Sequence, residues 1–201
     1  GYFYRAVITG TCSAINSGAG ILTVNTLPVV TVNPVDVTVC EGTGTSFSVT
    51  ATGTGLSYQW QESTGGPFVN ISNGGVYSGA TTTALTLTGV TAGMTGYQYR
   101  AVITGTCSSI NSLAGTLTVN TLPVVTVNPV DVTVCEGTGT SFSVTATGAG
   151  ITYQWQEDSG SGFGNITNGG VYCGATTATL ILNNVPNTFI GRNYRVNITG
   201  S

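Results

Sequence analysis

Apolar and β-branched residues alternate with polar residues in short runs along the whole chain of 201 residues. Such a period of two places the apolar side chains on one face of a β-strand. Clear runs are LSYQWQE at 56–62, ALTLTGV at 84–90 and YQYRAVITG at 97–105, and Gly, Asn and Ser separate them. No segment follows the 3.6-residue period of a helix. The pattern therefore predicts an all-β protein.

The runs recur at a fixed spacing. The segment 22–53, LTVNTLPVVTVNPVDVTVCEGTGTSFSVTATG, returns unchanged 95 residues later as 117–148. This period is the size of one β-sandwich domain. We therefore expect three parts. Residues 1–27 are the last two strands of a preceding unit, 28–122 form a complete domain, and 123–201 form a second domain that lacks its last strand.

The order of motifs within one period resembles a known family. VTVNPVDVTVCEG, FSVTATG, YQWQE, LTLTGV and GYQYRAV follow one another as in the I-set-like repeats of long bacterial cell-surface and adhesin-type proteins. The resemblance implies tandem immunoglobulin-like β-sandwiches with Greek-key topology, arranged head to tail. It covers essentially the whole chain, and its motifs are specific to the fold rather than to a function.

The resemblance assigns core positions in both units. The central tryptophan and the corner tyrosine of the family are present, but apolar residues stand where its two core cysteines would be. The resemblance therefore implies a core without the usual disulfide between the sheets. The matching residues are Trp60, Tyr99, Val49 and Ala101 in the first unit and Trp155, Tyr194, Val144 and Val196 in the second.

Four of the five cysteines obey the period: Cys12 with Cys107, and Cys40 with Cys135. The chain has no CxxC pair and no histidine, so disulfides and an oxidising compartment are favoured over zinc. One alternative is a bond within a unit, Cys40 to Cys107. The other, which we favour, joins neighbouring units, because a ten-residue strand spans roughly 33 Å and a disulfide needs Cα atoms within about 7 Å. Cys173 has no periodic partner, so it is either an idle thiol or a lateral crosslink between chains.

Charge excludes several functions. The chain has four arginines, seven acidic residues, no lysine and no histidine, and its net charge is −3. Nucleic acid is therefore excluded as a partner, and the usual bases and nucleophile arrangements of enzymes are missing. Carboxylates are not clustered as calcium requires. We expect no enzyme activity, no metal and no cofactor.

No apolar run is long enough to span a bilayer, and Gly1 begins without the basic region of a signal peptide. Asn70, Asn165 and Asn197 lie in N-x-S/T sequons and are candidates for glycosylation. Tyr77 and Tyr172 are either candidates for carbohydrate binding or residues packed under the NGGVY turn.

The sequence favours an extracellular structural protein, in which Ig-like units form a surface stalk or filament and contact copies of themselves or neighbouring repeats. The alternative is an adhesin module that binds a glycan or a surface protein through loops at one pole. The chain ends in mid-pattern, which favours a window of a longer protein. A second possibility is that the N-terminal GILTVNT of another chain completes the last unit by strand donation.

Overall fold

The computed structural model describes residues 1–200 and consists of short strands, with two single-turn 3₁₀ helices at Ala92–Met94 and Asn187–Phe189. Ser201, the last residue of the predicted domain 123–201, lies outside the described residues. The chain divides into two compact units. The first comprises Gly1–Val37, Gly44–Thr88 and Gly96–Thr118, and the second comprises Thr38–Thr43, Gly89–Thr95 and the chain from Val119 onward.

For comparison by position, "first copy" denotes residues 28–122 and "second copy" residues 123–200. The segment before the first copy is a ribbon of two short ladders. Its strands are β1 (Tyr2–Tyr4), β2 (Val7–Thr9), β3 (Ala14–Asn16) and β4 (Gly20–Leu22). Strand β1 pairs with β4, and β2 pairs with β3. Every residue from 1 to 27 is exposed, so this ribbon has strand pairing but no core.

The first copy carries eleven strands in two main sheets. One sheet has the order β10-β9-β13-β15-β6 with β14 on β13, the other is β11-β12-β7, and β5 pairs with β8. The strands are β5 (Val29–Val32), β6 (Val37–Cys40), β7 (Thr45–Ser48), β8 (Thr50–Thr52), β9 (Ser57–Ser63), β10 (Val69–Asn70), β11 (Tyr77–Ser78), β12 (Ala84–Leu87), β13 (Gln98–Thr104), β14 (Ser109–Asn111) and β15 (Gly115–Asn120).

The second copy repeats this arrangement with fewer strands. Its sheets are β20-β19-β23 and β17-β22-β21, and β16 pairs with β18. The strands are β16 (Val124–Val127), β17 (Thr140–Ser143), β18 (Thr145–Thr147), β19 (Thr152–Asp158), β20 (Phe163–Asn165), β21 (Tyr172–Cys173), β22 (Thr179–Leu182) and β23 (Asn193–Thr199). Strand β23 is an edge strand, whereas its counterpart β13 lies inside its sheet.

Each copy is built around one tryptophan. Trp60 and Trp155 are fully buried. Their indole N–H groups donate to the carbonyl oxygens of Thr82 and Thr177, both at 2.9 Å. Because a buried indole N–H needs a partner, this bond fixes the orientation of the ring. Leucines that alternate along the opposing sheet complete both cores, namely Leu85, Leu87, Leu180 and Leu182.

The strand pattern differs from the sequence prediction in three places. The alternating segment YFYRAVITG at 2–10 is interrupted at Arg5–Ala6, and the alternating segment SFSVTATG at 46–53 is interrupted at Val49. The third difference lies at Asp131–Cys135. These residues form no strand, although the identical Asp36–Cys40 contains β6. The reason is that β6 lies beside β15, and no described strand takes that place in the second copy.

Candidate functional site

A groove runs along the edge strand of the second copy. Its cavity has a volume of about 450 Å³, and a second recess of about 300 Å³ shares part of its wall. The groove lies between the irregular stretch 131–136 and the segment that leads into β23. Its apolar wall is formed by Val132, Val134, Phe142, Leu182, Val185, Phe189, Ile190 and Tyr194.

In the first copy the corresponding position holds strand β15. Leu117 and Val119 of that strand are 0% and 5% exposed. The backbone of Leu117 is bonded at both groups, since its carbonyl accepts from Gly96 N at 2.8 Å and its N–H donates to Tyr97 O at 2.9 Å. The groove of the second copy therefore corresponds in position to strand β15 of the first copy.

Two further features hold β15 in place. The Thr95 hydroxyl accepts from Val119 N and donates to Val119 O, both at 3.0 Å. At the other end of the strand, Gly115 passes so close to the chain that an added Cβ would lie 2.5 Å from the carbonyl oxygen of Val35. Only glycine permits that approach. This position therefore accommodates a β-strand, and the first residue of that strand must be glycine.

A polar cluster borders the groove. Arg192 forms an ion pair with Glu157 at 3.0 Å and lies over the ring of Phe189, with its guanidinium carbon 3.7 Å from the ring centroid. The Tyr172 hydroxyl donates to the same carboxylate. Burial of Tyr172, reinforced by the bond to Glu157, raises the pKa of its hydroxyl well above its usual range. Tyr172 is thus a neutral hydrogen-bond donor at ordinary pH.

The first copy has the same tyrosine pair without the arginine. The Tyr77 hydroxyl donates to Glu62 at 2.6 Å and lies 3.2 Å from the Tyr99 hydroxyl. Burial raises the pKa of Tyr99 to about 12, although the hydrogen bond to Tyr77 acts in the opposite direction. Tyr77 and Tyr172 are both half-buried. Their hydroxyls are occupied within the fold, as packing under the turn requires.

The repeated sequence block forms a tight joint at the start of the first copy. The Thr54 N–H donates to Thr26 O at 3.2 Å. Gly53 adopts φ +150°, and a Cβ there would lie 2.9 Å from Pro28 Cα and 3.1 Å from Leu27 O. Such backbone-to-backbone distances leave no room for a side chain. The path of the chain from 26 to 28 is therefore fixed by contact with the turn at 53–54.

The start of the second copy has the same joint. The Ala149 N–H donates to Thr121 O at 3.2 Å. Gly148 adopts φ +146°, and a Cβ would lie 2.9 Å from Pro123 Cα and 3.2 Å from Leu122 O. Two separate parts of the chain thus reproduce one geometry to within a tenth of an ångström and a few degrees. The identity of the sequence block is matched by identity of the joint.

A polar ladder lies on the outer face of each copy. In the first copy, the Arg100 guanidinium carbon lies 4.0 Å from the Phe68 ring centroid. Its Nε donates to Gln61 at 2.9 Å, and Gln61 donates to Asn70 at 2.9 Å. Within this chain of bonds the guanidinium donates through Nε.

In the second copy, the Arg195 guanidinium carbon lies 3.9 Å from the Phe163 ring centroid. Its Nε donates to Gln156 at 2.8 Å, and Gln156 donates to Asn165 at 2.7 Å. Our reading of the sequence did not identify these ladders. A signal was present, because Arg100 and Arg195 are one period apart and Arg5 is one period earlier. The sequon residues Asn70 and Asn165 are therefore exposed but hydrogen-bonded members of the ladders, whereas Asn197 is exposed on β23.

The predicted core residues differ in burial between the copies. Val49, Tyr99, Ala101 and Val144 are buried, but Tyr194 and Val196 are only partly buried. All five cysteines are thiols, and only Cys40 is partly buried, while Cys12, Cys107, Cys135 and Cys173 are exposed. Cys40 and Cys107 belong to different compact units. The favoured bond between neighbouring units, the alternative bond from Cys40 to Cys107 and any crosslink through Cys173 stay predictions.

Among residues 1–200, no group of three or more metal-binding side chains is found. The helices in this range include none long and apolar enough to cross a membrane.

Residues 31–121 match a family model described as a domain of unknown function, DUF8696. Endoglucanase C of Cellulomonas fimi is 37% identical over 127 residues, which is 62% of this chain and 11% of that protein. The chain thus spans about a tenth of the length of this relative.

Solved structures of tandem immunoglobulin domains are similar in fold. Immunoglobulin domains 1–4 of Sidekick-1 give a TM-score of 0.62 at 16% identity, and the match covers 99% of this chain and 54% of the Sidekick-1 structure. The titin fragment I67–I69 gives a TM-score of 0.60 at 13% identity, and the match covers 100% of this chain and 78% of the titin fragment. Extracellular domains 3–5 of Drosophila OTK give a TM-score of 0.58 at 22% identity, and the match covers 94% of this chain and 62% of the OTK structure. The expected fold class, tandem immunoglobulin-like β-sandwiches, is confirmed.

Proposed function

We propose that this chain is a non-catalytic structural module of an extracellular stalk or filament that extends by joining immunoglobulin-like repeats head to tail. The observation that carries the proposal is the duplicated joint. Gly53 and Gly148 show the same close approach to the preceding Leu-Pro, within the 32-residue block that is unchanged between the copies. A regular array needs the same turn at every junction, because each repeat contacts only its neighbours.

Composition supports a role outside the cell. Charged residues are 5% of the chain, so few ion pairs exist that salt could screen or pH could titrate. The immunoglobulin-like domains of OTK that resemble this chain are described as extracellular. An extracellular stalk meets changes of salt and pH, and a fold that is held by packing and backbone hydrogen bonds is insensitive to them.

Small-angle X-ray scattering tests the role of the joint. Gly53→Ala and Gly148→Ala should each change the maximum dimension of the chain, because the new methyl group must displace Pro28 or Pro123. Gly66→Ala is the matched control, since no atom lies within 4 Å of its Cβ position. We expect the control to scatter as the unchanged chain does. Equal scattering from all three variants would contradict a geometry-setting joint.

A second candidate is a module that binds polysaccharide, which the two Arg–Phe ladders favour. Each ladder presents a planar guanidinium on an aromatic ring beside amide groups, a surface suited to planar or polyhydroxylated ligands. The matching relative is by its name an endoglucanase. Retention on insoluble cellulose is the assay. Arg100→Gln with Arg195→Gln should abolish retention, and Arg5→Gln, which is exposed and outside both ladders, should not. Absence of retention for the unchanged chain would remove this candidate.

A further inference from the structure

We propose that Asn73 and Asn168 are sites of spontaneous deamidation, and that the folded NGGVY turn holds the reaction back until the turn opens. Both asparagines precede a glycine, and no other asparagine of the chain does. Asparagine is a chemically labile residue, and a following glycine has no side chain to hinder attack by its own backbone nitrogen. Asn73 and Asn168 are both exposed, so water and base can reach them.

The reaction needs no reagent besides water. The Gly74 backbone nitrogen attacks Cγ of Asn73, the new N–C bond closes a five-membered imide, and the Cγ–Nδ2 bond breaks. The side-chain amide leaves as ammonia, with the proton that the Gly74 nitrogen gives up. Water then opens the imide at either carbonyl, which yields aspartate or isoaspartate. An amide is exchanged for a carboxylate, so each event makes the net charge of −3 more negative by one.

In the first copy, hydrogen bonds hold both reacting groups. Asn73 Oδ1 accepts from Ala80 N at 2.8 Å, which fixes the side-chain amide. Gly74 N donates to Tyr77 O at 2.9 Å, and Tyr77 N donates to Gly74 O at 3.0 Å. The Gly74 nitrogen can attack only after its proton and its peptide plane are released from these bonds. The turn must therefore open before the imide can close.

The second copy repeats these restraints. Ala175 N donates to Asn168 Oδ1 at 2.8 Å, and Gly169 and Tyr172 exchange backbone hydrogen bonds of 2.9 and 3.0 Å. Gly74 and Gly169 adopt φ values of +135° and +138°, which L side chains disfavour. The turn thus needs glycine for its backbone and asparagine for its acceptor oxygen. The reactive pair is a consequence of how the turn is built.

A tyrosine fastens each turn to the sheets. The Tyr77 hydroxyl donates to Glu62 at 2.6 Å, and Tyr77 pairs with Leu87 on β12. The Tyr172 hydroxyl donates to Glu157 in the same way. The same two tyrosines form the backbone bonds to the reactive glycines. Loss of the hydroxyl contact should therefore favour opening of the turn in that copy alone.

The two products differ in their effect on the turn. Aspartate keeps an oxygen that accepts from Ala80 N, so the turn closes again. Isoaspartate inserts a methylene group into the backbone between residues 73 and 74, which disrupts the bonds between Gly74 and Tyr77. Conversion to isoaspartate is therefore an irreversible record that the turn has opened.

Peptide mapping by mass spectrometry measures conversion at each asparagine of the full 201-residue chain in mildly alkaline buffer. In urea, Asn73 and Asn168 should both convert. In the folded chain both should convert at least about tenfold more slowly, the effect of one or two net hydrogen bonds that hold the turn closed. Asn70 and Asn165 precede isoleucine and should convert in neither state. Equal rates at Asn73 in the folded and the unfolded chain would overturn the proposal.

Reciprocal substitutions test whether opening is local. Tyr77→Phe should accelerate conversion at Asn73 by about fivefold, the effect of one net hydrogen bond, and should leave Asn168 unchanged. Tyr172→Phe should accelerate conversion at Asn168 alone. Leu117→Ala is the control, because it weakens the first copy at a distance from the turn and should not change the rate at Asn73. Acceleration by Leu117→Ala equal to that by Tyr77→Phe would overturn local opening, and so would an unchanged rate at Asn73 in Tyr77→Phe.

Discussion

Phe47 and Phe142 hold the same position of the repeat, yet Phe47 is buried and Phe142 is only partly buried. Their aromatic partners are also equivalent, since Phe47 lies 4.8 Å from Tyr99 and Phe142 lies 4.8 Å from Tyr194. The ring pair therefore forms without the closing strand. What the closing strand adds in the first copy is cover for the pair.

The same contrast extends to polar groups. In the first copy, Asn33 and Asp36 accept hydrogen bonds from Leu113 N and Thr116 N, both at 2.8 Å, so the bend before β6 is fastened to the start of β15. Their counterparts Asn128 and Asp131 are exposed. Instead the second copy has the Arg192–Glu157 pair at its rim. A partly exposed ion pair contributes little compared with a closed core.

The largest expected difference between equivalent residues concerns Leu117 and Leu22. Leu117→Ala removes a fully buried side chain and should lower the free energy of unfolding of the first copy by about 2–5 kcal/mol. Leu22→Ala should change it by less than about 0.5 kcal/mol, because Leu22 is 48% exposed. Hydrogen exchange followed by mass spectrometry reads the two regions separately. Similar losses for both variants would refute the contrast.

A smaller effect concerns the tyrosines under the turns. Tyr77→Phe leaves Glu62 without its 2.6 Å donor and should cost the first copy about 1–3 kcal/mol. Tyr172→Phe should cost less, because Glu157 keeps Arg192. Urea denaturation of each variant measures this. Tyr58→Phe is the control, since the structure assigns its hydroxyl no partner among the described residues and we expect little change. A larger loss for Tyr172→Phe than for Tyr77→Phe would contradict the assignment.

The smallest effect appears only in alkali. Burial raises the pKa of Tyr99 to about 12 in the folded protein, against about 10 for an unfolded tyrosine. Between these values the unfolded chain releases the proton first, so the stability contribution is complete below pH 10 and declines as pH rises toward 12. Tyr99→Phe should reduce this decline, as denaturation midpoints between pH 9 and 12 would reveal. An unchanged slope would mean that Tyr99 does not titrate differently on unfolding.

Much of the fold could be predicted from particular residues. The alternation around Trp60 and Leu85 placed both on the inner faces of strands, and the fixed period identified Trp155 and Leu180 as their equivalents. The ladder of Arg100 and Phe68 could not be read in the same way. Arg100 lies on β13 and Phe68 lies directly before β10, and only the register of the sheet brings the guanidinium over the ring. Contacts across strands depend on register, which alternation alone does not specify.

By itself the sequence determined the all-β class, the period and the residues at the centre of each core, because these depend on local alternation and on composition. The sequence did not determine whether each of two identical segments forms a β-strand. Residues 35–40 and 130–135 have the same sequence, VDVTVC, but only the first contains a strand. A strand exists only where another backbone accepts and donates its hydrogen bonds. For Val37–Cys40 that partner is β15, and the contact between these distant parts of the chain is made only in the tertiary structure.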